Sequence, residues 1–474
     1  MGLGHIKYLD GFKNAEIYSV FINTISVPLK DAKKIKERQN ILRDFTEFPD
    51  IAPKMKALCD DIKKNKCQSA DGEGDPKRRL ADYQGILYKS MQISHELASQ
   101  LKHRNLKSDS LKELRDQLDC REKIDKVKER ADRIVRLCLN ENISLKLGYG
   151  SAFKFKSAGL YSGADKNKKD PRENSIFRIF QSKTPQSEDF SGSFYYNENF
   201  LIEAEVEGEK GILPLAAPYA AGLLAELNRH ILSFCASLSK QLSFYIGCME
   251  IIRFMEYKNI KTVYPEFTSQ KSINFNNLHD FGLLLYKTEE YEENIPVSND
   301  LEDSGTPVHL ISGANQGGKT TFLKSVGTAQ LFAQAGLKVP AGKYECPVFN
   351  NFFSHFPKDE DEDLNFGKLA EELTRIKKDI RRIADNSLVL LNESFATTTE
   401  TEGFEIASDF LRALCASSKI FFVTHNHQLL KKRHEIGGIK SLITAEGGSP
   451  AERTYKITEG EPSEKGGGAA FFAL

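Results

Sequence analysis

Val308-His309-Leu310-Ile311 is a short apolar run of strand type, and Ser312-Gly313-Ala314-Asn315-Gln316-Gly317-Gly318-Lys319-Thr320-Thr321 follows it. Phe322, Leu323, Val326, Ala329 and Leu331 then recur at helical spacing. Residues 313–320 fit G-x-x-x-x-G-K-[ST], in the strand–loop–helix setting that the motif requires. Glycines let backbone N–H groups converge on phosphate oxygens, and a helix N-terminus adds a favourable dipole. In such a loop Lys319 reaches the β- and γ-phosphates, and the Thr320 hydroxyl binds Mg²⁺. The plainer alternative is a glycine-rich turn that happens to precede a helix; the flanks argue against it.

Downstream, Ser387-Leu388-Val389-Leu390-Leu391 is an apolar strand that ends in Asn392-Glu393. A Walker B strand usually ends Asp-Glu, the Asp ordering the magnesium shell and the Glu orienting the attacking water. Asn392 keeps an acceptor oxygen and loses the charge, so weaker Mg²⁺ coordination is expected. Loss of hydrolysis does not follow. A third strand, Ile420-Phe421-Phe422-Val423-Thr424, ends at His425-Asn426-His427. A lone strand-end histidine is more often structural. Three strand ends in order, at 313, 393 and 425, fit parallel strands that deliver their groups to one sheet edge. His425 is then placed to sense a γ-phosphate.

The chain has 474 residues, room for about two to four domains of ordinary size. Hydrophobic residues make up 40%, ample for packed cores, and charged residues 28%, which suits helix-rich, solvated surfaces. Lys+Arg and Asp+Glu are both 66. Zero net charge excludes coating of nucleic acid by bulk charge and leaves a local basic patch open. The eight cysteines are far apart, with no CxxC, so neither a zinc ribbon nor a secreted disulfide framework is supported. Reduced thiols are expected. Met1-Gly2-Leu3-Gly4-His5-Ile6-Lys7 has no signal pattern. The most apolar long stretch, 231–255, holds Lys240, Glu250 and Arg253, whereas a bilayer needs roughly 20 uninterrupted apolar residues. A soluble, cytoplasmic protein without a membrane partner is expected.

Organisation changes along the chain. Residues 1–142 read as helical: Ile35, Ile41, Leu42 and Phe45 recur after Asp31, and further helical patterns run over about 80–105 and 108–140. The second of these alternates in charge, as an exposed, salt-bridge-laced helix does. Residues 143–213 suggest strands, through Phe153, Phe155, Phe177, Phe180, Tyr195, Tyr196, Phe200, Ile202 and Val206. Residues 143–183 carry nine Lys/Arg against three acids, and residues 188–209 carry seven acids and no base. The basic half suits a phosphate backbone, or is a solvated loop with segregated charge; both readings stand. Residues 219–258 are helical in pattern, roughly 60 Å long at 1.5 Å per residue.

Taken together, these motifs resemble the MutS family of ATPases within the ABC superfamily. Residues 312–321 resemble its phosphate loop, TGPNMGGKST. Phe332-Ala333-Gln334-Ala335-Gly336 with Val339-Pro340-Ala341 resembles LAQIGSFVPA. Glu393 with Thr397-Thr398-Thr399 and Glu402-Gly403 resembles DELGRGTSTFDG, and Thr424-His425-Asn426-His427 resembles ATHYHEL. Asp31 through Arg38-Gln39-Asn40-Ile41-Leu42 resembles the opening of the family's helical core. Tyr264-Pro265-Glu266 and Ile295-Pro296-Val297-Ser298-Asn299-Asp300 resemble the entry to the ATPase domain, and the second borders the adenine in the family. The resemblance thus implies Pro296 and Val297 as base-pocket residues. Thr454-Tyr455-Lys456-Ile457 resembles the last strand, where Tyr455 is expected near the base.

By this resemblance the fold is an α/β P-loop ABC-type ATPase domain at 262–474. It is preceded by an all-α lever or core domain at 1–142, a β-rich clamp-like insert at 143–213 and a long lever helix at 214–261. Residues 313–321 would hold ATP. Thr320 and Asn392 would hold Mg²⁺, and Glu393 and His425 would be catalytic. A homodimer that clamps mismatched, branched or bent DNA is implied. The alternatives are a nucleotide-driven clamp on a protein or ribonucleoprotein, and a binding-only switch. Several departures stand out. The chain starts at the helical core and stops at Leu474, so mismatch-reading, connector, C-terminal dimerisation and nuclease regions are not expected. Phe45-Thr46-Glu47 lies in the core helix and is no mismatch reader. Asn365-Phe366-Gly367-Lys368-Leu369-Ala370 replaces the signature segment, which puts its contact in trans in doubt, although Lys368 could reach phosphate.

Overall fold

The computed structural model describes residues 3–64, 76–119, 143–149, 155–162, 209–289, 295–356, 386–447 and 453–462, with single positions between them. The chain divides into one unit of Asp50–Leu242 and another of Met1–Pro49 with Ser243–Leu474.

In the first unit, Ile51, Ala52, Met55, Cys59 and Ile62 recur at helical spacing along the Ile51–Lys64 helix and are buried. This face packs on the Pro76–Leu101 helix, which buries Leu87, Leu97 and Leu101. A third helix, Asp109–Leu118, starts where the Ser108 hydroxyl accepts the Leu111 N–H at 3.1 Å. Lys56 donates to Asp60 at 2.7 Å and to Ser239 at 3.2 Å, so its buried charge is paired. Strands β1 (Ile143–Tyr149) and β2 (Phe155–Ser162) pair antiparallel within the stretch expected to be β-rich. Phe153, the strand candidates from Phe177 to Val206 and most of the segregated charge lie outside the described residues, as does most of 120–142.

The long helix is Glu209–Tyr257. It begins before the expected residue 219 and inside the stretch assigned to the insert. Pro214 and Pro218 argue against a helix interior, because proline removes a ladder hydrogen bond. The helix nevertheless runs through both positions.

The second unit holds two sheets. Its main sheet is built from β6 (Val308–Ser312), β8 (Asn351–His355), β9 (Ser387–Asn392), β10 (Lys419–Val423), β11 (Ile439–Glu446) and β12 (Arg453–Glu459), in the order β12-β11-β6-β10-β9-β8. All neighbours are parallel except β11 and β12. Every residue of β6, β9 and β10 is buried, as expected for parallel strands covered on both faces. Leu310, Val389, Leu391, Ile420 and Phe422 face the Glu400–Leu414 helix through Phe410, Leu411 and Leu414. On the other face the Lys319–Ala335 helix packs against β9 and β10. A smaller sheet, of β3 (Glu266–Phe267), β7 (Lys343–Cys346), β4 (Asn274–Leu278) and β5 (Asn299–Leu301), joins the main one at β12. There the Asn299 side chain donates to the Tyr455 carbonyl at 3.3 Å and accepts the Ile457 N–H at 2.7 Å.

Residues 15–47 form two helices, Ala15–Ile25 and Ala32–Glu47, capped by the Asn14 and Asp31 side chains. Ile35, Leu42 and Phe45 of the second are buried, as their spacing predicts. Gln334 ties this helical segment to the sheet. Its amide donates to Leu29 O at 2.8 Å and Phe349 O at 2.9 Å, while its oxygen accepts the Phe349 N–H at 2.8 Å. Gln330 extends the network to Gln334, Pro347 O and Tyr344. At the end of the sheet where β6 and β10 begin, the buried Lys419 pairs with Asp303, which also accepts three backbone N–H groups. His309 stacks on Phe421, and its burial pushes the imidazole down to about 3, so it is neutral. Among the described residues the cysteines are unbridged, and no helix is long and apolar enough to cross a membrane.

Because Gln334 satisfies three backbone groups, both at Phe349 being buried, Gln334→Leu is expected to destabilise its unit by about 2–4 kcal/mol. Urea unfolding followed by circular dichroism reads this as a lower midpoint. An unchanged midpoint would show that water or a rearranged backbone replaces the network.

Candidate nucleotide site

Parallel register brings the ends of five strands to one sheet edge. Val423 of β10 lies between Ile311 of β6 and Asn392 of β9, Ser312 faces Ile443 of β11, and His355 of β8 faces Leu391. The chain leaves β6 through a loop with positive φ at Gly313 (125°), Gln316 (59°) and Gly318 (90°), then enters the Lys319–Ala335 helix. Space also requires glycine at 313 and at 317. A Cβ on Gly313 would lie 2.1 Å from Thr444 Oγ1, and one on Gly317 would lie 2.6 Å from Thr444 Cγ2. The Thr444 side chain, on β11, therefore wedges under the loop, and its hydroxyl accepts the Ala314 N–H at 3.2 Å.

Lys319 curls back over this loop and donates to the Gly313 and Ala314 carbonyls at 2.9 and 2.8 Å. Burial lowers its affinity for a proton; the Glu393 carboxylate opposes this and Arg453 adds to it. Asn315 and Gln316 are exposed on the loop, and Thr321 is half-buried in the first helical turn. The Thr320 hydroxyl donates to Asn392 Oδ1 at 2.9 Å, which brings the two expected metal ligands into contact.

Glu393 follows directly, with φ of 50° and its N–H donating to Val423 O at 2.8 Å. Its carboxylate lies 3.6 Å from His425 Nε2, and both side chains are about two-fifths exposed, at 41% and 43%. Burial holds the His425 imidazole below its ordinary range, and the Lys319 charge adds to this against the pull of Glu393. The neutral form therefore dominates near neutral pH. Asn426 fixes the histidine turn: its amide donates to Glu400 O at 2.8 Å, and its oxygen accepts the Leu429 N–H at 2.8 Å. Beside Glu393 and His425 opens a cavity of about 280 Å³, lined further by Thr398, Glu400, Asn426 and His427.

Tyr455 has φ of 56° and is 48% exposed, and a Cβ on Gly318 would lie 3.4 Å from its carbonyl. Its place at the phosphate loop follows from the Asn299 bridge. Just before β5, Pro296 is buried and its carbonyl pairs with His279 Nδ1 at 3.0 Å, whereas Ile295 and Val297 are exposed. Val297 thus presents an apolar surface, and Pro296 serves as support. The segment 365–370 lies outside the described residues.

The donors fit a nucleoside triphosphate with a divalent ion. The loop offers N–H groups and one ammonium, and Thr320 with Asn392 offers two neutral oxygens. Sequence reading missed Thr444, whose position on an ordinary strand carries no motif. Only the two glycines it touches hint at a close neighbour.

Residues 309–467 match the family model for MutS domain V, and residues 30–257 match that for the MutS2 N-terminal domain. The DNA mismatch repair protein MutS of Listeria monocytogenes is 25% identical over 489 residues, covering 93% of this chain and 54% of that protein. The corresponding protein of Staphylococcus haemolyticus is 25% identical over 256 residues, 52% of this chain and 28% of the relative. Endonuclease MutS2 of Streptococcus thermophilus is 28% identical over 247 residues, 51% of this chain and 30% of the relative. The chain thus spans about half or less of the length of these curated relatives.

Thr444→Val keeps the wedge and removes the acceptor of the Ala314 N–H. Loss of one such bond, about 1–1.5 kcal/mol, is expected to weaken binding of a fluorescent ATP analogue about fivefold to tenfold. Titration by anisotropy checks this; equal affinity would mean that wedge volume alone shapes the loop.

Proposed function

The chain belongs to the MutS family, and on that premise we propose that it is an ATP-dependent DNA-binding protein whose ATPase domain is of the ABC type. The observation that carries the reading is the meeting of Lys319, the Thr320–Asn392 pair and the Glu393–His425 pair on one sheet edge. In this reading, ATP phosphates take the loop N–H groups, and Lys319 exchanges its two carbonyl partners for phosphate oxygens. Tyr455 and Val297 flank the base. Magnesium, held by Thr320 and Asn392, supplies neutralisation of phosphate charge. Glu393 accepts a proton from the water that attacks the γ-phosphorus, the bond to the β-phosphate oxygen breaks, and ADP and phosphate leave. Neutral His425 donates a hydrogen bond to the γ-phosphate. Two copies pair head to tail around ATP, and the long helix with the 143–213 insert transmits closure to mismatched, branched or bent DNA.

Zero net charge, from 66 basic and 66 acidic residues, favours a second reading: a clamp on a protein or ribonucleoprotein partner. In that case the same ATP cycle acts without DNA.

Glu393→Gln is expected to bind ATP as the wild type does and to hydrolyse it at least about 100-fold more slowly. Unchanged turnover would remove Glu393 from that role. Anisotropy at one stated salt concentration, with ATP and Mg²⁺, would then compare homoduplex, mismatched duplex, four-way junction and single strand. Tight, salt-sensitive binding to the junction or mismatch is expected. Equal, weak binding to all four would overturn the DNA reading in favour of the second.

A further inference from the structure

The turn that carries Glu393 is one that its own residues disfavour. Glu393 (φ 50°) and Phe395 (φ 66°) both adopt the left-handed conformation, with Ser394 between them. Two non-glycine residues stay so only where their surroundings over-determine the backbone. The flanking anchors are plain. The Glu393 N–H donates to Val423 O at 2.8 Å. Phe395 is 4% exposed against Phe410 and Phe422. The Glu400–Leu414 helix comes so close that a Cβ on Gly403 would lie 2.8 Å from Phe395 O.

The third anchor comes from another strand. His355, the last residue of β8, is buried at 7% exposure, and its Nδ1 lies 2.7 Å from the hydroxyl of Ser394, itself 5% exposed. Parallel register sets this distance, since His355 is level with Leu391 and the chain turns back beyond Asn392. The backbone anchors fix where the turn lies. The His355–Ser394 contact ties the side chain of the residue that follows Glu393 to the end of β8.

We propose that His355 and Ser394 are positioning residues, whose hydrogen bond holds the Glu393 carboxylate toward the phosphate loop. The proposal rests on the reading of Glu393 as the group that activates water. Neither residue touches the reacting atoms in this scheme. Their effect therefore falls on turnover and leaves nucleotide binding alone.

The test uses the full chain with Mg²⁺ and ATP, measuring kcat, KM, the affinity for a non-hydrolysable ATP analogue and the melting temperature. Ser394→Ala and His355→Leu are expected to lower kcat about tenfold to a hundredfold, the cost of a carboxylate displaced by about 1 Å, with KM and affinity within about twofold. His355→Asn keeps a polar atom near the place of Nδ1 and recovers kcat to within about threefold of wild type. The double variant Ser394→Ala/His355→Leu loses no more than the worse single variant, because one bond is removed once. Wild-type kcat in both single variants would overturn the proposal. So would parallel losses of kcat, affinity and melting temperature that His355→Asn does not repair, the mark of a purely structural role. A wild-type chain without ATP turnover would overturn the reading of Glu393 and the proposal with it. Turnover kept by wild type and variants alike would overturn the proposal alone.

Discussion

The hydrogen bond from the Thr320 hydroxyl to Asn392 Oδ1, 2.9 Å long, joins the two halves of the site. One half is the loop and helix that follow β6, and the other is the end of β9. Their meeting depends on β10, which lies between the two strands and pairs with both in parallel register. A slip of one residue along either ladder would turn every side chain to the opposite face and send Asn392 away from the loop. The full burial of β6, β9 and β10 forbids that slip. At the far end of the same strands, the Lys419–Asp303 pair secures β10 to the turn before β6. Removing either partner would leave a buried charge alone.

Asparagine at 392 has a physical consequence beyond the loss of charge. Residue 392 is 7% exposed. A carboxylate there would need a cation or several donors to offset its desolvation. The neutral amide carries no such cost, and its oxygen accepts the Thr320 hydroxyl. Lys319 rests on the Gly313 and Ala314 carbonyls, and the Glu393 carboxylate favours its charged form. In the proposed cycle, phosphate replaces those carbonyls and brings the negative charge that the protein itself supplies sparingly.

Much of this site was legible in the sequence, because parallel strands write themselves as continuous apolar runs that stop at polar residues. Leu388 to Leu391 stops at Asn392-Glu393, and Ile420 to Val423 stops at Thr424-His425. The runs predict strands, and the shared edge follows from parallel pairing. Thr444, Ser394 and His355 were illegible for the opposite reason. Each is a common polar residue whose importance arises from a neighbour distant in sequence: the loop at 313–317 in one case, and a strand some forty residues away in the other. The start of the long helix at Glu209 was missed because Pro214 and Pro218 outweigh periodicity in local reading. The caps at Asn14 and Asp31 are structural findings, each a side chain closing the first turn of the helix that follows it.

The most direct measurement is the Mg²⁺ dependence of ATP turnover in the wild-type chain and in Asn392→Asp. If Thr320 and Asn392 form the metal shell of an ATPase, wild-type turnover requires Mg²⁺. The added carboxylate then shifts half-saturation to a lower Mg²⁺ concentration. Turnover that persists without divalent ions, or the same half-saturation in both proteins, would contradict that assignment.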